Sequence, residues 1–447
     1  MRHSLLTIVL AAALAFTAAG ADYTGKSIYL PEELADNDFS DPSSKWSFSR
    51  MAATDNIVLF WAPGFGGNIG DAPQLDGNNM NVDMANLLDR LESFYDVFRN
   101  DMKFVKSGTK ADRYKMMVML DYSLEGTAYG GAYDDEIGAL WITPNRVQDK
   151  RLNCIAHELG HSFQTQISCD GEGVGWGGAG FYEMASQWML WQVNPDWQTD
   201  ENYHLSAYRD LTHKAFLHID NIYHSPYVLE AWGERHGLPF IAELFRQGQI
   251  GEDPVMTYKR LTGLDQKAFC DTMFTDQRRQ INWDFERVRA NAAPYANLWH
   301  TELLSAGKGK WRPAPANCPE NYGFNTIALQ VPETGKKVTV DFDGLVGAKN
   351  KSGLTADGYY LHNPAKAGWR YGFVAVTSDG RTLYSDIGSS PHGHLSYTVP
   401  TGTTLSHLWL VVMGAPTEHW RNIDGPDNPG DAQWPYAVAF SGTEPIR

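Results

Sequence analysis

The sequence predicts an α+β protein in two parts: a domain with a small mixed sheet and a helical subdomain, then an all-β sandwich. Three features lead to this. Strand and helix signals alternate from Lys26 to about Ser123, mostly helical patterns run from Phe181 to about Ala292, and short alternating strands follow from Asn321 between Gly, Pro and Asp turns. The expected boundaries are a leader at 1–21, the first domain at 22–300, a linker at 301–320 and the β-sandwich at 321–447. A chain of 447 residues can bury a sizeable core without staples.

The elements read as follows. Residues 1–21 put Arg2 and His3 before an apolar run from Leu5 to Phe16, then small residues at Ala18 and Gly20 or Ala19 and Ala21, the pattern of a cleaved secretory signal. That run is short for a membrane span and no later stretch is long and apolar enough for one. A secreted or periplasmic chain, off the membrane after cleavage, is expected. NIVLFWA (56–62) reads as a strand, Asn81 to Arg99 as an amphipathic helix, and KMMVMLDYS (115–123) as a second strand. Between them APGFGGNIGDAP has neither GxGxxG nor a following GKS or GKT, so phosphate binding is not expected. After a Gly-rich turn, IGALWITP (137–144) reads as a strand and Asn145 to Thr165 as a helix capped by Asn145. DGEGVGWGGAG then connects to a helix at FYEMASQWMLWQV (181–193). WRPAPANCP marks the linker, and IALQV, VTVDFDGL, RYGFVAVT, HLSYTVP, HLWLVVMG and YAVAFSG supply the strands of the sandwich.

Net charge of -16 leaves no basic stripe to neutralise phosphates, so nucleic acid is not an expected partner. Fifteen Trp and 21 Tyr suit surfaces that stack on sugars or grip extended peptides, and equally suit cores. Trp369, Tyr371, Trp420 and Trp434 could form a sugar-binding platform or fill the sandwich, while His392 and His394 show no acid at metal spacing. DGPDNPGD (424–431) has carboxylates that could hold Ca2+ but lacks the EF-hand spacing, and also reads as a solvated turn. A single helix through Cys154 and Cys169 would hold them beyond disulfide reach, leaving Cys270 with Cys318, cross pairs, or free thiols.

The chemistry concentrates in CIAHELGHSFQ (154–164). His157 and His161 are four apart, so one helix face can present both imidazoles to one ion, and Glu158 beside them can reach a water there as general base. With 14 His in 447 residues, a chance HExxH arises about 0.03 times per chain. Glu183, on the next predicted helix 22 residues after His161, is the natural third ligand. Asp170 and Glu172 rank below it because a loop holds a ligand less rigidly. Cys154 shares the face of His157 and reads mainly as core or bridge.

HELGH followed by YEMASQ resembles the gluzincin zinc metallopeptidases, the thermolysin clan, whose HExxH is completed by a Glu from a second helix. The form HExGHxxQ, with Gly160 and Gln164, is similar to enhancin-like gluzincins that cleave mucin-type glycoproteins. YGFNTIALQV and LWLVVMGAPTEHW extend the likeness, across the whole mature chain, to a family of secreted gluzincin-related proteins with a C-terminal β-domain. The resemblance implies His157, His161 and Glu183 as ligands of one Zn2+, Glu158 as base and Ser186 as the small polar position after the Glu ligand. Gln187 stands where the clan has an aspartate behind the first histidine; it can still accept an imidazole N–H but, being neutral, makes the ligand less basic. The oxyanion donor of the clan is a Tyr or His beyond the Glu helix, which points to Tyr223 and His224, with Tyr227, Tyr203 and His204 as others; an aromatic stripe between helices explains any of them equally. IGALWITP matches the clan's substrate-pairing edge strand.

The expected function is a secreted zinc peptidase acting on extracellular proteins or glycoproteins. The alternative is a glycan- or protein-binding module on a catalytically degenerate scaffold, motivated by Gln187 and the aromatic β-domain.

Overall fold

The computed structural model of the protein describes residues 25–173, 179–421 and 432–446. The leader, part of the Gly-rich connection and DGPDNPGD (424–431) lie outside these residues. The fold mixes α and β with several sheets, an α+β class. The described residues divide into two units: 25–173 with Ala185–Trp197 and His236–Gly248, and 179–184 with Gln198–Arg235 and 249–446.

In the first unit, β1 (Met51–Ala53), β2 (Ile57–Trp61), β3 (Met116–Leu120), β4 (Ala128–Tyr133) and β5 (Ile137–Ile142) form one sheet in the order β1-β2-β3-β5-β4. The pairs β2/β3 and β3/β5 are parallel and the outer pairs antiparallel. IVLFW and MMVML are apolar at every position because both faces of these central strands are covered. Helix α1 (Met84–Asp96), capped by the Asp83 carboxylate on the Asn86 N–H, buries Leu87, Leu91, Phe94 and Tyr95. After the short α2 (Lys110–Arg113) comes α3 (Asn153–Cys169), which packs on β4, β5 and α1. Phe163 of α3 meets Tyr95 and Phe98 edge-on at 5.1 and 5.4 Å.

Three expectations about this region are corrected. The helix starts at Asn153 rather than Asn145, because Pro144–Arg146 closes its own turn and Leu152 takes a left-handed φ of 55° just before α3. IGALWITP is not the edge strand: β5 lies between β3 and β4. The segment read as a Gly-rich turn contains β4, returned by a tight turn in which Asp134 and Asp135 have φ of 53° and 51° and the Glu136 N–H reaches the Tyr133 carbonyl at 2.8 Å.

The remaining helices are α4 (Ala179–Val193), α5 (Trp197–Asp200), α6 (Asn202–Leu211), α7 (Tyr227–His236), α8 (Pro239–Gln247), α9 (Pro254–Thr262), α10 (Gln266–Arg279) and α11 (Arg289–Ala292). Helix α4 is continuous across the division of the chain, its residues from Ala185 onward belonging to the first unit.

The second unit contains two larger antiparallel sheets. One joins β8 (Phe324–Leu329), β12 (Trp369–Thr377), β13 (Thr382–Tyr384) and β15 (Leu405–Gly414) in the order β13-β12-β15-β8. The other joins β6 (Leu303–Gly307), β7 (Lys310–Pro313), β9 (Lys337–Gly344), β14 (His392–Thr398) and β16 (Tyr436–Ser441) in the order β14-β9-β16-β7-β6. A small hairpin pairs β10 (Gly353–Leu354) with β11 (Tyr360–Leu361). Alternate residues of both larger sheets, among them Ile327, Val340, Phe342, Phe373, Leu410 and Val438, share one core. Trp369, Tyr371 and Trp434 are buried in it and Trp420 is packed against it, so these four fill the core rather than forming a sugar platform. Residues 301–320, expected to link, carry β6 and β7, whose pairing with each other and with β16 extends a sheet.

All four cysteines are free thiols, so neither Cys270 with Cys318 nor a cross pair forms. Burial pushes the Cys169 and Cys270 thiols up to about 12. Among the described residues no helix is long and apolar enough to cross a membrane.

Burial, reinforced by Lys214, pushes the His213 imidazole down from 6.5 to about 4. The unfolded chain therefore binds a proton at this position that the fold refuses between these values, and stability falls as pH drops through that window, by up to about 3 kcal/mol. Urea unfolding at pH 7 and pH 4.5 should show a smaller acid loss in His213→Gln than in the parent.

Candidate metal centre

Helix α3 carries His157, Glu158 and His161, and two neighbours fix it closely. Against β4, a Cβ on Gly130 would overlap the Glu158 carbonyl oxygen, so only glycine lets the strand lie there. Against α4, Gly160 faces Ser186, whose hydroxyl donates to the His157 carbonyl. Ser186 is thus a tie between helices. Glu183, Ser186 and Gln187, at spacings of three and four, share one face of α4.

The Nε2 atoms of His157 and His161 are 3.1 Å apart, with the rings nearly perpendicular at 85°. One donor atom from each of His157, His161 and Glu183 lies within 4.8 Å of the others, the only such group of three or more among the described residues. His157 is buried, and His161 and Glu183 are partly so.

The other ring nitrogens determine what these Nε2 atoms are. His157 Nδ1 is 3.0 Å from Gln187 Oε1, and His161 Nδ1 is 3.0 Å from Gln164 Oε1. An amide oxygen only accepts, so each Nδ1 carries the hydrogen, and in the neutral ring Nε2 becomes the acceptor nitrogen. Two acceptor nitrogens 3.1 Å apart call for a cation or a shared proton between them. Glu158 is positioned from the strand side, its Oε2 accepting the Gly130 N–H at 3.0 Å.

The weaker ligand candidates are occupied elsewhere. Asp170 accepts the Lys110 N–H and the Gln166 amide, and Glu172 pairs with Lys106 and Arg246. Cys154 is half-buried and outside the donor group.

Tyr223 and His224 lie in the second unit. Tyr223 is 43% exposed. His224 Nδ1 is 2.7 Å from His204 Nδ1, and burial lowers its pKa. The Tyr203 and His204 rings meet at a tilt of 33° with centroids 4.2 Å apart. Tyr227 is wholly buried against Tyr208 and Trp283, the aromatic-stripe reading.

Sequence reasoning missed the orienting role of two residues. Gln164 belongs to the HExGHxxQ form, and its role was legible in principle because a residue three after His161 lies over the same face. Gly130 was not, since its role depends on β4 lying against α3.

The fold and this group define an α+β protein with a His-His-Glu arrangement on two helices beside a mixed sheet. The chain belongs to the family described as "Family of unknown function (DUF6055)", which matches residues 20–447. No curated protein matches it. Among solved structures it is similar to the M60 catalytic domain with the CBM51-1 and CBM51-2 domains from Clostridium perfringens ZmpB, at 11% identity and a TM-score of 0.31. That match covers 93% of this chain and 61% of the other, so this chain spans less than two thirds of that structure's length.

Gly160→Ala forces Ser186 away from α3 and should cost about 1 to 3 kcal/mol in thermal or urea unfolding. Gln187→Asp puts a carboxylate behind His157 and should tighten the hold of the group on any added divalent cation about tenfold in a chelator competition, while Gln187→Leu should weaken it by a similar factor.

Proposed function

We propose that the protein is a secreted zinc-dependent endopeptidase of gluzincin type acting on proteins or glycoproteins, with residues 22–300 as its catalytic part and 321–447 as a β-sandwich module. The observation that carries this reading is the pair of imidazole acceptor nitrogens 3.1 Å apart, completed by Glu183 and flanked by Glu158.

The donor set fits zinc. Two nitrogens each about 2.05 Å from one tetrahedral ion are about 3.3 Å apart, close to the 3.1 Å between the two rings. Three protein ligands leave one coordination position open, the pattern of catalytic rather than structural zinc. His157, His161 and Glu183 would hold the ion, which when bound polarises the scissile carbonyl and acidifies water.

The chain's own residues do the rest. The Glu158 carboxylate takes the proton of the attacking water and delivers it to the leaving amine nitrogen. The Gly130 N–H fixes Oε2 of that carboxylate. Strand β4, at the edge of its sheet, offers backbone groups to an extended peptide. Tyr223 or His224 is the proposed donor to the oxyanion.

Gln187 favours a second reading. A neutral amide behind His157 supports a weaker metal ligand than a carboxylate, as expected of a scaffold retained for binding a glycan or protein.

Glu158→Gln should keep about one zinc per chain by elemental mass spectrometry while hydrolysis of a glycoprotein panel falls at least about 100-fold. His161→Ala should lose both. Unchanged turnover in Glu158→Gln would remove the peptidase reading, and absence of turnover in a zinc-loaded parent would favour the binding one.

A further inference from the structure

His392 and His394 carry a second arrangement that sequence reasoning passed over, having found no acid near them along the chain. The acids come from the neighbouring strand. Strands β14 and β9 are antiparallel, with His392 opposite Asp343 and His394 opposite Asp341. Each Nδ1 is 2.7 Å from its aspartate Oδ1. Residues two apart on a strand share a face and are rooted about 7 Å apart, a gap that two imidazoles can close by leaning together.

Each carboxylate accepts the Nδ1 hydrogen, so in the neutral ring Nε2 is the acceptor, turned away from the aspartate. A ring that donates one N–H to a carboxylate and keeps the other nitrogen for an ion is the usual environment of a metal-ligating histidine. Exposed ion pairs alone contribute little to folding and give no reason for two parallel pairs at adjacent same-face positions. Lys310 Nζ is 3.3 Å from Asp343 Oδ2, engaging the second oxygen of that aspartate and keeping it in a supporting role. On the other side of β9, Ala437 and Ala439 stand opposite Asp343 and Asp341, leaving a shallow recess beside the pairs. The side chains of His392 and His394 are 73% and 57% exposed, so an ion can enter from solvent.

The geometry points to a second metal site, taking a late first-row divalent cation such as Zn2+, Ni2+ or Cu2+ on His392 and His394, with water in the remaining positions. Imidazole donors suit these ions and not Mg2+ or Ca2+. Two protein ligands make the site weaker than the three-ligand group on α3 and α4.

Metal titration of the full metal-free chain separates the two sites. The parent should bind two zinc ions, His392→Ala/His394→Ala one fewer than the parent, and His157→Ala/His161→Ala should keep the ion at the β-sheet. If the centre on α3 and α4 binds no zinc, the parent should bind one ion and His392→Ala/His394→Ala none, so failure of that reading is distinguishable. Cu2+ bound to His157→Ala/His161→Ala should show two nitrogen couplings in electron paramagnetic resonance. Asp341→Asn/Asp343→Asn should weaken this site 10- to 100-fold. Equal stoichiometry in the parent and His392→Ala/His394→Ala overturns the proposal. So does an affinity indifferent to Asp341→Asn/Asp343→Asn, which would leave two unrelated surface imidazoles.

Discussion

Close approach at two glycines is the constraint on which the rest of this structure depends. Helix α3 can carry His157, Glu158 and His161 into one geometry only because Gly130 admits β4 on one side and Gly160 admits α4 on the other. Both contacts involve backbone or a short side chain, which cannot swing aside as a long side chain can. Once the helix is seated, the positions of Gln187 and Glu183 follow from the helical repeat of α4. The polar group is therefore a consequence of packing.

Within that frame, hydrogen-bond polarity does the chemical selection. Glutamine oxygens behind both imidazoles assign the hydrogens to Nδ1 and the acceptors to Nε2. The aspartates behind His392 and His394 make the same assignment with a charged acceptor. The two pairs differ in depth and support: one between helices with neutral partners and a carboxylate beside it, the other on an exposed sheet face with charged partners.

Much of this was legible in the sequence because it is local. The apolar runs of β2 and β3, the alternation of β9, and the i, i+4 histidines are patterns within one element. What sequence reading missed depends on contacts between distant segments. AYGGAY has too much glycine to read as a strand, and becomes one because its backbone pairs with β5 and needs clearance over α3. Asn145 is a good cap by composition, but Pro144 and the left-handed Leu152 delay the helix to Asn153. The acids beside His392 and His394 are about fifty residues away along the chain and adjacent only across the strand pair.

The four unbridged cysteines have a practical consequence. Three are buried, which raises their thiol pKa, Cys169 and Cys270 to about 12, and disfavours the reactive thiolate at neutral pH. Covalent cross-links then play no part in holding the native topology. The chain can mature without an oxidising partner or a disulfide-shuffling catalyst, and reductants such as dithiothreitol should leave its fold intact.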